Sequence, residues 1–307
     1  MRPGKSPPIY VEIDLAASME EVWQHTQDPV RHEQWDLRFT NIEYLPRASA
    51  AEPQRFRYVT RIGFGLEIEG TGESVAERQT AANRTSVLRF GSEDAKSLIR
   101  TGGGFWRYRE EPGRVRFSTR YDYETRFGLA GRLVDRVLFR PLLGWATAWS
   151  FDCLRLWLER SITPSLSVAK GVVQIVSRGC LSLIWLWLGL VPKLLYPEGG
   201  ELALVVEAGL APGAEGAFLA LVGAGEITLG LALAFAWRWR FLFPLNLALA
   251  VALSLAGLVI DPGFLTTPMS PPPLLVAIAG LSFLGTWSAR DLPSARRCLR
   301  REPGGSP

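Results

Sequence analysis

Lys193 and Glu226 are the residues whose type and position most suggest chemistry, because each stands inside a long apolar run. A charged side chain at the centre of a membrane helix costs about 2.5–3.5 kcal/mol even on the mildest insertion scale, so such groups normally face a helix bundle and pair. As a pair, the amine and the carboxylate can fix the packing of two helices. Intramembrane carboxylates also serve proton relays and substrate sites, and both alternatives stay open here.

Four apolar runs lie between Cys180 and Trp287, separated by short segments rich in Pro, Gly or Arg. A helix needs about 20 apolar residues to cross a bilayer, with a range of about 17–25. The pattern therefore predicts an all-α four-helix transmembrane bundle over residues 179–290. The predicted spans are Gly179–Leu195, Gly216–Ala236, Phe241–Ile260 and Pro273–Ala289.

Small and polar residues share a helix face with these charges. Gly223 and Gly230 flank Glu226 on its own face, and small residues allow helices to approach closely. The third span has a similar face, made of Asn246, Ala250, Ser254, Gly257 and Asp261. If these faces meet, they form either an ordinary helix–helix contact or a polar site. The predicted members of the membrane polar site are Lys193, Glu226, Asn246 and Ser254.

The basic residues predict the orientation of the spans, because Lys and Arg beside a membrane helix favour the cytoplasmic side. Lys170 and Arg178 precede the first span, and Arg238 and Arg240 fill the second connection. The first connection carries glutamates and no Lys or Arg. We therefore predict a multi-pass protein of the inner (plasma) membrane with both termini in the cytoplasm. Residues 291–307 are predicted to be a basic, disordered cytoplasmic tail.

The N-terminal part has a different pattern, and its charge content favours a second domain outside the membrane. Ile9–Leu15 alternates apolar and polar residues, which is typical of a half-buried strand. Ser18 and Glu21 form a capping box that starts a helix, and Asp28-Pro29 ends it. A polar helical piece at 31–35 follows. Further strands are predicted at 40–45, 55–62, 66–77, 85–90, 98–109 and 114–125.

A long helix is predicted from Leu129 to Arg160, where the apolar period becomes helical. One side of it collects Val134, Leu138, Leu142, Trp145 and Trp149. The order of elements predicts an α+β helix-grip soluble domain over residues 1–160, in which a curved antiparallel sheet wraps the last helix. Residues 161–178 are predicted to link this domain to the membrane domain.

The segment Val11–Trp23, with Asp28-Pro29 and Trp35-Asp36 downstream, resembles the START-related superfamily of polyketide cyclases and dehydrases, also called SRPBCC. The resemblance covers about residues 8–160. It implies a cavity between the sheet and the long helix that holds a hydrophobic ligand. Aromatic strand residues either line this cavity or fill a closed core. The candidate ligand-binding residues are Phe56, Tyr58, Phe90, Trp106, Tyr108, Phe117 and Tyr121.

Two short elements in the first two spans resemble the DoxX-like membrane proteins. They are Gly-x-x-Pro-Lys and Gly-Glu-Ile-x-x-Gly, at Gly189, Pro192, Lys193, Gly225, Glu226, Ile227 and Gly230. The resemblance implies the four-helix fold and the membrane location, and the family name comes from a subunit linked to quinone reduction. The predicted partners are the lipid bilayer and a lipophilic small molecule or quinone; partner subunits are left open.

No residue pattern indicates a metal, cofactor or nucleic-acid site. Cys153, Cys180 and Cys298 stand alone, and His25 and His32 both precede the membrane domain, which leaves no axial ligand for a haem there. No basic stripe interleaves with aromatic residues. We therefore expect no metal, cofactor or nucleic acid. Catalytic residues and enzymatic activity are left unassigned, because no nucleophile or acid–base pair is identifiable.

Three functions are compatible with these features. The first is the binding, sensing or handover of a lipid or quinone-like molecule by a cytoplasmic domain attached to the membrane. The second is a subunit of a quinone-linked membrane oxidoreductase, in which Glu226 exchanges a proton. The third is a membrane-anchored enzyme of the cyclase or hydrolase type.

Overall fold

The computed structural model describes residues 6–49, 52–63, 65–80, 82–199, 201–260, 263 and 271–303. The chain divides into two compact units. The first consists of residues 1–167 and 293–307, and the second of residues 168–292. Each unit has its own hydrophobic core.

The first unit is built on an antiparallel sheet, which within the described residues has seven strands in the order β1-β7-β6-β5-β4-β3-β2. The strands are β1 Ile9–Leu15, β2 Asn41–Tyr44, β3 Gln54–Gly63, β4 Leu66–Gln79, β5 Asn83–Gly91, β6 Ile99–Glu111 and β7 Arg114–Thr125. Between β1 and β2 lie α1 Met19–Gln27 and α2 Pro29–Trp35. The predicted capping box is present, because the Ser18 side chain and the Glu21 side chain each accept a hydrogen bond from the other residue's backbone N–H.

The long helix consists of α3 Gly128–Val134, one π-helical turn Asp135–Phe139 and α4 Arg140–Arg160. Phe151 of α4 stacks on Phe117 of β7 with 4.4 Å between ring centroids. Alternate residues of β1 and β7 join this core because side chains on a strand point to opposite faces in turn. The predicted helix-grip fold is confirmed.

The apolar residues predicted to share one side of the long helix differ in burial. Trp149 is buried, whereas Val134, Leu138, Leu142 and Trp145 are exposed. Only the later turns of the helix therefore lie deep in the core, and the first turns present an apolar surface outward.

The C-terminal segment differs from the predicted disordered tail. Residues 293–303 belong to the first unit, where Leu299 exchanges two backbone hydrogen bonds of 2.9 Å with Glu12. Strand β1 is at the edge of the sheet and offers backbone groups that can pair with a further segment. The Cys298 Sγ atom donates to the Ala148 carbonyl at 3.2 Å. The charged residues of this C-terminal segment gave no indication that it pairs with β1, which lies at the other end of the sequence.

The second unit is all-helical. Its elements are α5 Pro164–Leu190, which continues from the first unit and runs into a π-helical turn Val191–Leu195, α6 Glu201–Glu207, α7 Glu215–Phe235, α8 Leu242–Ile260 and α9 Pro271–Ser288. In the part of the chain that the structure describes, three helices are long and apolar enough to cross a membrane: Pro164–Leu195, Glu215–Phe235 and Leu242–Val259. The fourth predicted span contains a shorter apolar helix, Pro273–Ser288.

The predicted linker 161–178 is largely helical, since α5 begins at Pro164. Its polar residues bind the ends of other helices. Arg178 donates to the Leu233 carbonyl at 2.9 Å, near the end of α7, and Lys170 donates to the Arg290 carbonyl at 2.8 Å, just beyond α9. A cation at a helix C-terminus satisfies free carbonyls and the negative end of the helix dipole. The start of α5 therefore lies beside the ends of α7 and α9.

Candidate functional site: an apolar cavity and a membrane ion pair

A cavity of about 290 Å³ lies in the first unit, between the sheet, α1, α2 and the first turns of α4. Its wall is mainly apolar and aromatic, with a few polar groups, which is the usual composition of a small-molecule pocket. The structure places five of the seven predicted ligand-binding residues in this wall. They are Phe56, Tyr58, Phe90, Trp106 and Tyr121.

The other two predicted residues, Tyr108 and Phe117, are fully buried in the core and are not part of the cavity wall. Their rings stack on each other at 4.9 Å. The Tyr108 hydroxyl is hydrogen bonded to the Thr26 hydroxyl at 2.8 Å and accepts from the Gln27 amide at 2.9 Å. Helix α1 therefore covers Tyr108, while Phe151 of α4 stacks on Phe117.

One end of the cavity is polar and is formed by His32, Asp36 and Arg38. The Arg38 guanidinium binds the Asp36 carboxylate through two nitrogens, at 2.9 and 2.5 Å. The His32 Nε2 atom lies 3.0 Å from Asp36 Oδ2, one of the two carboxylate oxygens that Arg38 binds. His32 and Arg38 both line the cavity, while the Asp36 side chain is fully buried behind them.

The protonation states of His32, Asp36 and Arg38 sum to zero charge, so the polar end is electrically neutral overall. Burial lowers the pKa of His32 more than its Asp36 hydrogen bond raises it, so the imidazole is uncharged near pH 7. Burial opposes ionisation of Asp36, but the Arg38 guanidinium and the His32 hydrogen bond together outweigh it and hold the pKa of Asp36 below its usual range. With the carboxylate and guanidinium balanced, the polar end suits an uncharged polar group of a ligand.

Tyrosine hydroxyls add neutral polar groups to the same cavity. Burial raises the pKa of Tyr58 to about 12 and also raises the pKa of Tyr121, so both phenols stay protonated. The Tyr121 hydroxyl is hydrogen bonded to the Thr147 hydroxyl at 2.8 Å. The Arg38 guanidinium lies 5.4 Å from the centroid of the Tyr121 ring, a cation–π distance.

The sequence reasoning missed this polar end. It used Asp36 only as a marker of the fold and His32 only to exclude a haem. A usable signal was present, since His32, Asp36 and Arg38 follow one another within seven residues between a short helix and a strand. That spacing places His32 and Asp36 one helical turn apart, where their side chains can meet.

In the second unit, Lys193 and Glu226 meet as predicted from their faces. The Lys193 Nζ atom lies 2.9 Å from Glu226 Oε2 and 2.8 Å from Glu201 Oε2. It also donates to the Leu188 carbonyl at 3.2 Å. Glu201, at the start of α6, is a partner that sequence reasoning did not identify. One ammonium therefore contacts two carboxylates.

The other two predicted members of the membrane polar site lie elsewhere. Asn246 is completely buried, accepts a hydrogen bond from the Trp185 indole and donates one to the Ser282 hydroxyl. This cluster joins α5, α8 and α9. Ser254 is half-buried, and in the described residues neither it nor Asn246 pairs with Lys193 or Glu226. Asp261 lies outside the described residues.

Glycines bring α5 and α7 together beside the ion pair. A Cβ atom added to Gly189 would lie 2.5 Å from the Gly223 carbonyl oxygen, and one added to Gly230 would lie 2.9 Å from Leu186 Cγ. Only a residue without a side chain permits this approach of two helix backbones. The glycine pattern of the sequence is thus a packing surface.

A metal centre has no obvious ligands in the ranges that the structure describes. No group of three or more His, Cys, Asp or Glu side chains converges there.

Comparison with known proteins agrees with this architecture. Residues 182–283 match a family model described as the DoxX-like family, which confirms the resemblance found in the first two spans. The uncharacterized membrane protein YndG of Bacillus subtilis (strain 168) is 47% identical over 184 residues, which make up 59% of this chain and 68% of that relative.

Solved structures similar to this chain include a hypothetical protein from Helicobacter pylori, with a TM-score of 0.41 and 18% identity, covering 52% of this chain and 92% of that one. A START superfamily protein from Mycobacterium smegmatis has a TM-score of 0.36 and 16% identity, covering 51% of this chain and 100% of that one. The chain is a membrane protein that combines a helix-grip domain with a DoxX-like domain. It belongs to the family of the membrane protein YndG.

Proposed function

We propose that this membrane protein binds a lipophilic molecule in the cavity of its helix-grip domain and senses it or hands it over to the membrane. The observation that carries the proposal is the aromatic cavity with a neutral polar end at His32 and Arg38. A closed, fully packed core would have left no such space. Burial of apolar ligand surface in the cavity supplies about 25 cal/mol per Å².

The chemistry of the cavity favours a particular ligand class. The Arg38 guanidinium already has the Asp36 carboxylate as a partner, so an additional anionic group would not be neutralised. A hydroxyl or carbonyl group can instead accept from Arg38 or pair with the neutral His32. A ring or single chain with one uncharged polar group, such as a quinone or a lipid alcohol, fits these requirements and the volume of about 290 Å³.

The proposed location of this domain is the cytoplasm, with both termini on that side. The basic residues Lys170, Arg178, Arg238 and Arg240 support this orientation. The grouping of the first half of α5 with the ends of α7 and α9 supports a common side for these segments, and the basic residues assign that side to the cytoplasm.

The experiment is native mass spectrometry of the purified full chain, comparing Ala146→Phe with Ala76→Phe. Ala146 lines the cavity, whereas Ala76 is exposed on β4. We expect a bound lipophile on the wild type and on Ala76→Phe, and at least about tenfold less on Ala146→Phe, because the added ring occupies the ligand space. Equal occupancy in both variants, or no bound lipophile on the wild type, would contradict the proposal.

A further inference from the structure

The first turns of the long helix carry an unusual apolar surface. It is called the α3–α4 outer face and consists of Phe127, Leu129, Leu133, Val137, Leu138 and Trp145, all exposed. Leu129 is 79% exposed and Val137 is 70% exposed. Contiguous apolar surface of this kind is rare on soluble domains unless it binds something.

The same segment touches its own domain along a narrow edge. From residue 128 to residue 138, Gly131 and Asp135 are buried, and the other residues are exposed. Gly131 allows the helix to lie against the Arg126 backbone, where a Cβ would collide. Asp135 accepts hydrogen bonds from the Tyr123 hydroxyl at 2.6 Å and from Arg140 at 3.0 Å. These two anchors fix the helix while its apolar residues point outward.

Basic residues accompany the outer face. Arg132 and Arg136 are exposed on the same segment, and among the described residues neither forms an ion pair with a carboxylate. A neighbouring groove is lined by both of them together with Arg140, Arg300 and Arg301. The same groove contains the carboxylates of Asp122, Glu124 and Asp135, and Arg140 pairs with Asp122 and Asp135. An apolar helix surface flanked by arginines is the composition of a helix that lies in a membrane interface and attracts anionic lipids.

We propose that the α3–α4 outer face docks on the surface of a bilayer containing anionic phospholipids. The bilayer is the occupant that the observations favour, because the chain is itself embedded in a membrane and the apolar face is bordered by arginines. A second copy of the chain or another protein segment would also cover apolar residues. The five arginines that line the adjoining groove, against three carboxylates, favour an anionic surface.

Docking would place the cavity wall at the bilayer. Leu142, Leu143 and Ala146 follow the outer face along the helix and line the cavity, and Leu142 is also exposed to solvent. A lipophile could therefore pass between the bilayer and the cavity without crossing water. This last step rests on the proposed function, whereas the docking itself does not.

The test uses spin labels on the full chain in vesicles of phosphatidylcholine with phosphatidylglycerol. Leu133→Cys and Val137→Cys report the outer face, in a Cys180→Ser background because Cys180 is the exposed native cysteine. Glu110→Cys is the matched control, since it lies at the opposite end of β6 and β7 from α3. We expect labels at 133 and 137 to be accessible to oxygen and shielded from a water-soluble nickel chelate, at a depth of about 5–10 Å. The label at 110 should show the reverse.

Two results would overturn the proposal. If the labels at 133 and 137 are as accessible to the nickel chelate as the label at 110, the outer face lies in water. If these labels are shielded from both oxygen and the nickel chelate, the outer face is covered by protein.

The double variant Arg132→Gln/Arg136→Gln tests the role of the arginines. It should reduce the measured depth of the labels in anionic vesicles and leave the depth unchanged in pure phosphatidylcholine. None of these measurements needs a ligand in the cavity. The docking proposal and the proposed binding of a lipophile are therefore tested independently.

Discussion

The ammonium of Lys193 lies 2.9 Å from the carboxylate of Glu226, between the end of α5 and the middle of α7. Both side chains are buried, and Glu201 supplies a second carboxylate at 2.8 Å. Removing one member of a buried ion pair leaves an uncompensated charge, which is more destabilising than removing both. The arrangement therefore predicts strong coupling between these residues.

Lys193→Met should destabilise the membrane unit by about 3–5 kcal/mol, because it leaves Glu226 and Glu201 close together without a cation. Glu226→Gln should cost less, since Lys193 keeps Glu201 as a partner. The double variant Lys193→Met/Glu226→Gln should be more stable than the sum of the two single effects predicts. Reversible unfolding in mixed micelles measures all three, and simple additivity would show that the two side chains act independently.

The contact of α5 with α7 makes a second prediction. Gly189→Ala places a methyl group 2.5 Å from the Gly223 carbonyl oxygen, so the two helices must separate, at a cost of about 1–3 kcal/mol. Gly225→Ala is the matched control, because nothing lies within 4 Å of its added Cβ. It should be neutral or stabilise the helix by up to about 1 kcal/mol. The same unfolding assay applies, and equal effects of the two changes would argue against a close helix contact at Gly189.

His32 predicts a pH dependence of the helix-grip domain. Burial lowers its pKa below the ordinary value of 6.5, so the folded domain holds the neutral imidazole while the unfolded chain takes up a proton first. Stability is therefore complete above about pH 6.5 and falls as the pH drops below it, by at most about 1.4 kcal/mol per pH unit. Hydrogen exchange of peptides from residues 9–160 measures this loss between pH 7 and 5.5.

His32→Gln is the control for this titration, because its amide can still donate to Asp36 and does not titrate. The variant should show no loss of protection in this window. His25, a half-buried histidine in α1, remains in both proteins and provides the internal comparison. A variant that loses protection as steeply as the wild type would assign the pH dependence to another group.

Orientation gives a fourth prediction. A periplasmic reporter fused after Glu207 should be active, and a cytoplasmic reporter fused after Arg240 should be fluorescent, because basic segments stay inside. A cytoplasmic signal at the first position would reverse the orientation and place the helix-grip domain outside.

Local patterns predicted the elements well, while long-range partners escaped them. Period-2 alternation located β1, and the Ser18 capping box located α1, because these signals depend on neighbouring residues. The pairing of Leu299 with Glu12 joins opposite ends of the chain and has no local pattern. The contact of Lys193 with Glu201 depends on how α6 folds back, which the apolar pattern does not specify.

The candidate site was predictable in part for the same reason. Strand alternation puts Trp106 and Tyr108 on one face of β6, so both were natural members of a cavity wall. Helix α1 then covers Tyr108, whose hydroxyl is hydrogen bonded to Thr26, whereas Trp106 lines the cavity. Which part of a face is covered depends on tertiary packing, and alternation alone cannot supply it.

The most direct measurement of the central claim is photocrosslinking of the full chain in membranes with a diazirine-bearing long-chain alcohol, followed by peptide mass spectrometry. We predict that the probe labels wild-type peptides that contain Tyr58 or Phe90. Ala146→Phe should lose this labelling. Probe dissolved in the membrane should label α7 and α8 in both proteins. Labelling confined to the membrane helices of the wild type, or labelling of the cavity peptides that is unchanged in Ala146→Phe, would contradict a lipophile-binding cavity.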